Sequence, residues 1–129
     1  MRPLRDQSLQ AVLDAVSDGF VLLNDAVIKL ADTDAVEAVA ELLCRRIDLP
    51  ADRVVRAIEA PSEAALIVIC RAAGLNVNGF SAILRMRRRR FPSDISPAEV
   101  FAAFLQTSLG TARQVVSMLK LHDVVELPE

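Results

Sequence analysis

The stretch ILRMRRRRF, residues 83–91, places five arginines within six positions, at 85 and 87–90. A guanidinium is planar, permanently charged and pairs bidentately with phosphate or carboxylate, so such a cluster can grip an anion, a nucleic acid or an acidic protein. It can also do nothing more than finish a helix. The rest of the chain is acidic: residues 1–84 carry eight basic and twelve acidic side chains, residues 91–129 two and five, and the whole chain sums to −2. The run is therefore a positive island on a negative body. On a helix whose apolar stripe is Val77, Phe80, Ile83, Leu84 and Phe91, Arg87 falls beside the stripe. Arg85, Arg88 and Arg89 turn away from it. Cations in a last turn are favourable by a few tenths to about 1 kcal/mol each. Arg87 can lay its stem on the core edge with its head in water or against a carboxylate. We read the run as a solvated helix end. If it has a ligand, Arg85, Arg88, Arg89 and Arg90 are the residues that would meet an anion or an acidic partner.

Other reactive groups are sparse. His122 is the single imidazole, so any Ser–His or Cys–His pair would have to use it. DTDAVE, residues 32–37, bunches three acids without the spacing or glycine of a calcium loop, and reads better as charge at a helix start. Cys44 and Cys70 sit in apolar helical stretches and read as small reduced hydrophobes, and two cysteines with one histidine make a poor metal set. No phosphate-loop, dinucleotide, zinc-protease or CxxC motif occurs. We therefore expect no enzyme, no cofactor and no metal. A second reading is a DNA-binding regulator. FLQTSLGTARQVVSMLK, residues 104–120, fits a helix-turn-helix pattern with Leu105, Leu109, Gly110, Val116 and Leu119 inward. Arg113, Gln114 and Ser117 would then face the major groove, with the basic run 85–90 helping on phosphate. Yet residues 69–83 fit the same template, Gln106 stands where a small residue is preferred, and the pI is near 5.4. An unidentified protein partner stays the preferred ligand and nucleic acid the second.

These residues need a scaffold, and the composition says which. A chain of 129 residues is one domain's worth, and 53% hydrophobic with 25% charged residues is globular. No Trp or Tyr occurs, so Ala, Val, Leu and Ile must fill the core, which suits close-packed helices. The longest apolar run, AALIVIC at 64–70, is far below the ~20 residues of a membrane span, and MRPLRDQSLQ has no signal-peptide core. A cytoplasmic chain without membrane contact is expected.

Apolar residues recur at helical spacing almost throughout. Leu9 to Val16 mark a first helix closed by SDG, and Val21 to Leu30 a second. Asp34 is predicted to cap a third, ending before LP at 49–50. A short fourth runs to Ile58, and APSE introduces a fifth with Glu63 in its opening turn. The sixth covers about 77–90. Ser96, Pro97 and Glu99 form a capping-box start for the seventh, and Gly110 separates it from an eighth over about 111–120. Residues 119–129 read as a loose tail of a single domain, 1–129.

Residues 44–58 echo residues 70–84 at an offset of 26: Cys44 with Cys70, Leu49 with Leu75, Val54 with Phe80, Ile58 with Leu84. Each copy reads as helix end, turn with an inward Leu, second helix. Such hairpins cannot bury their faces alone and stack on one another. AVAELLCRRIDLPADRVVRAI followed by ALIVICRAAGLNVNGFSAILRMRRRR resembles the HEAT-like region of an uncharacterised alphaproteobacterial family, domain of unknown function 2336. The matching features are the helix–RRxDLP–helix hairpin and the CRAAGL turn before an aromatic. The resemblance implies a bacterial origin and stacked antiparallel helices, and brings no catalytic residues. The expectation is an all-α, HEAT-like short repeat domain of about eight helices, acting as a noncatalytic protein-interaction scaffold of unknown oligomeric state.

Overall fold

The computed structural model describes residues 2–19 and 22–126, with side chains described over 10–19 and 22–120. Among the described residues the fold is all-α, with eight helices and no strand. They are α1 (Arg2–Ser17), α2 (Leu23–Asp32), α3 (Val36–Ile47), α4 (Ala51–Glu59), α5 (Ala64–Ala72), α6 (Val77–Arg90), α7 (Pro97–Gln106) and α8 (Leu109–Glu126). None of these helices is long and apolar enough to cross a membrane. Packing pairs α2 with α6, α3 with α4 and α5 with α8, while α7 bears on α5 and α6 and α1 on α2. Their apolar faces meet in one core whose fully buried centre includes Val27, Leu43, Val54, Leu66, Phe80 and Phe104. Phe80 stacks on Phe104 with ring centroids 4.4 Å apart, and Phe101 meets Phe80 edge-on at 6.0 Å. Each such ring removed from water is worth about 1.5–3 kcal/mol.

The sequence echo has a structural counterpart in its turns. Asp48 and Gly74 both close a helix with a left-handed backbone, φ 62° and 85°, a conformation that reverses the chain after a C-terminus. The leucine that follows each is buried: Leu49 is 4% exposed and Leu75 1%. Val54 and Phe80, then Ile58 and Leu84, are buried further along. The helices after the turns differ in their partners. α4 lies on α3, whereas α6 packs chiefly on α2. Asn24 of α2 makes that junction: its Oδ1 accepts from the Asn76 backbone N–H at 2.9 Å, and Asn76 Oδ1 in turn accepts from Gly79 N at 3.0 Å, capping α6. Glycine at position 79 leaves room for the Asn24 bond, because a Cβ there would run into Asn24 Oδ1 and force that side chain to shift.

Several boundaries depart from the sequence reading. Gly110 lies inside α8 rather than between helices; the break is at Thr107–Ser108, where Ser108 Oγ accepts from Thr111 N at 3.0 Å. α8 then carries the backbone of the expected tail on to Glu126. Ser96 caps α7 through Ala98 N as predicted, with Pro97 at the first helical position. Asp34 is no cap: Ala35 holds that position, and Asp34 sits in a left-handed bend with φ 59°. Val77 and Phe91, assigned to the α6 stripe, are 38% and 39% exposed, and Met86 is buried instead. Val21 and the side chains of Leu9 and His122 lie outside the described residues.

Candidate functional site

The arginine run occupies the last turns of α6, where the helix passes the ends of two others. A helix end leaves its final carbonyls without partners, and the run supplies donors to them. Arg87, only 2% exposed, donates through Nη1 to Ile58 O in the last turn of α4 at 2.5 Å and through Nη2 to Pro61 O at 3.3 Å. Its Nε donates to Glu63 Oε2 at 3.0 Å. Arg88 forks onto the same carboxylate, Nε to Oε2 at 3.2 Å and Nη2 to Oε1 at 3.1 Å, and reaches Ile95 O before α7 at 2.7 Å. Arg89 donates to Ala31 O in the last turn of α2 at 2.7 Å and to Asp34 Oδ1 at 2.8 Å. Arg85 bonds Ser81 Oγ one turn back at 2.8 Å and lies 3.8 Å from Asp32. One helix end thus closes the C-termini of α2 and α4 and pins the loop into α7.

Glu63 organises this cluster. It is the N-cap residue of α5 and is 6% exposed. Burial pushes its carboxyl up. Hydrogen bonds from Arg88 and Arg87, with their charges, outweigh that and hold it below the ordinary 4.5. It is ionised at neutral pH, facing two cations with charge-assisted bonds. A buried pair of this kind adds little against an apolar replacement of both partners, but deleting one partner strands the other.

The structure therefore narrows the picture of a solvated end to Arg85, Arg89 and Arg90, with Arg87 and Arg88 turned inward. Of the candidate residues, Arg88 is turned inward with 17% of its side chain exposed, Arg89 is held at Asp34, Arg85 remains half-exposed, and Arg90 is exposed. Asp32 and Asp34, read from sequence as helix-start charge, are the counter-ions of Arg85 and Arg89. Arg71 repeats the device at α7: its Nε donates to Thr107 O at 2.7 Å while its guanidinium lies 5.2 Å from the Phe104 ring centroid. The sequence reading missed Glu63 and Arg71, because their partners stand 24 and 36 positions away.

The thiols are chemically quiet. Burial pushes the Cys70 thiol far up. Cys44 is pushed up to about 11 by burial, the neighbouring Glu41 charge and the hydrogen bond to Glu41. Both stay protonated at neutral pH, and the thiol is a poor nucleophile. No group of three His, Cys, Asp or Glu side chains converges to hold a metal among the described residues.

Arg113, Gln114 and Ser117 share an exposed face of α8, but the packing differs from the helix-turn-helix template. Val116 is buried as that template requires, whereas Leu105 and Leu109 are 57% and 40% exposed. α8 lies on α5.

A wide concavity adjoins the arginine end, with Asp34 and Arg90 at its border. A groove of about 1040 Å³ runs between α1 and α4 over α2 and the start of α3. Its floor is small and apolar, with Val12, Ala26, Leu30, Ala35 and Ala38 among its residues. Asp25, Glu37, Glu59, Lys29 and Arg90 contribute charge around it. No motif marks these positions in the sequence. No protein-family model, curated protein or solved structure matches the chain.

Proposed function

We propose that this chain is a noncatalytic helical scaffold that binds a protein partner, with the groove between α1 and α4 as the contact surface. The groove carries the reading: its volume and alanine-rich floor offer apolar surface that a partner can cover. The resemblance to the HEAT-like bacterial family agrees with such a role, and we place the protein in the cytoplasm on the same reading. Of the arginines that looked most like a ligand site, Arg88 and Arg89 are engaged with Glu63, Asp34 and the Ile95 and Ala31 carbonyls, and the protonated thiols offer no nucleophile. Recognition is therefore by shape and surface charge.

The test is a photo-crosslinking side chain at Ala38 in the groove, compared with one at Glu99 on exposed α7. A protein captured from Ala38 and not from Glu99 supports the scaffold. Equal or absent capture at the two positions removes it.

A further inference from the structure

We infer that the partner segment seated in this groove is an amphipathic helix with an excess of basic residues. The inference rests on the groove being the contact surface and adds the chemistry of what fills it. Size comes first. A helix with its side chains is about 10–12 Å across and rises about 1.5 Å per residue, so 1040 Å³ accommodates about two turns. The walls are themselves helices. Residues 11, 12 and 15 share one face of α1, residues 55 and 59 one face of α4, and residues 25, 26, 29 and 30 one face of α2 beneath them. Alanines at 11, 15, 26, 35 and 38 keep the surface low, so a third helix can approach closely enough to bury an apolar stripe.

Charge then selects the partner. Asp34 lies in the groove, but its carboxylate is already held by Arg89. Asp25 and Lys29 stand one turn apart on α2 and offset each other. Among the described lining residues, Glu37 and Glu59, both exposed, then remain against Arg90. The other arginines of α6 are not among the groove's lining residues: Arg85 and Arg89 pair with Asp32 and Asp34, and Arg87 and Arg88 both turn to Glu63. A helix with Lys or Arg beside its apolar stripe complements the acids, and one with Glu there meets like charge.

The experiment uses the full chain and two fluorescent amphipathic peptides of about 18 residues, long enough to form helix on binding. One carries Leu and Ala on its apolar face with Lys elsewhere, and the other replaces every Lys by Glu. The Lys peptide should bind at least about tenfold tighter, and the difference should shrink as salt screens the rim. Glu37→Lys with Glu59→Lys should abolish or invert that preference. Glu99→Lys, on an exposed site of α7, should leave it in place, which separates the groove from general attraction to an acidic protein. Ala11→Trp, at an exposed groove position, should weaken both peptides. Equal binding of the two peptides, binding of neither, or the same loss from Glu99→Lys as from the double reversal overturns the proposal. If Ala38 still captures a protein in those cases, the scaffold stands and only its charge preference is wrong. If Ala38 captures nothing, the scaffold itself is gone.

Discussion

The arginine end of α6 and the groove between α1 and α4 are opposites in sequence and in structure. The first is the most conspicuous stretch in the chain, with five arginines in six positions. Folded, Arg87, Arg88 and Arg89 bond α4, the residues before α5, the C-terminal end of α2 and the loop before α7. The second is alanines, a few aliphatics and scattered charges, yet it forms an open concavity of about 1040 Å³ that Arg90 and Asp34 also border. Composition announces charge; it does not say whether the charge faces solvent. A guanidinium donates from five N–H groups, and a fold that brings helix C-termini together has carbonyls ready to receive them.

That contrast breaks most directly at Glu63. Glu63→Leu leaves buried Arg87 without its carboxylate, and equilibrium unfolding should show a loss of about 3–5 kcal/mol. A change below about 1 kcal/mol would mean that water and the carbonyls suffice for Arg87, and that the run is surface after all. Next is Leu75→Ala, in the second of the two echoed turns, which should cost about 2–5 kcal/mol as large-to-small core changes do. Leu49→Ala should cost a similar amount if the two turns are equivalent in energy as well as in backbone.

The arginines themselves should fall in graded order. Arg88→Gln loses charge-assisted bonds to both Glu63 oxygens, an effect of about 1.5–3 kcal/mol. Arg89→Gln, half-exposed at Asp34, should cost about 0.2–1 kcal/mol, and Arg85→Gln no more than that. Unfolding curves that rank Arg85 above Arg88 would refute the network. Acid should act through the same carboxylate. Because Glu63 titrates below 4.5 in the folded chain, its contribution is fully present above that pH and is lost as pH falls through the folded value. Glu63→Gln should flatten that part of the stability profile. The smallest expected effect is on DNA: labelled random duplex at moderate salt should show weak binding or none, and Arg113→Ala should change nothing. Micromolar binding abolished by that change would restore the regulator reading and displace the groove.

Much of the helix pattern was legible before folding, because it is written in local terms. Ser96 and Pro97 start α7 where their side chains and fixed φ require, and apolar spacing locates α3, α4 and α6 within a residue or two. The misses are local rules with a non-local competitor. Asp34 has the chemistry of a cap but is held by Arg89, 55 positions away. Gly110 looked like a breaker, yet Ser108 starts the helix first.

By itself, then, the sequence determined an all-α chain, its helix order and the inward leucines of its two echoed turns, since periodicity and turn chemistry act over a few residues. Tertiary structure alone decided that Glu63 meets Arg87 and Arg88, that Arg89 closes α2, and that four helices leave a groove between them. Those facts depend on which helix ends come within hydrogen-bond reach of one another. Orientation of that kind is set by the packing of whole apolar faces, and no short stretch of residues encodes it.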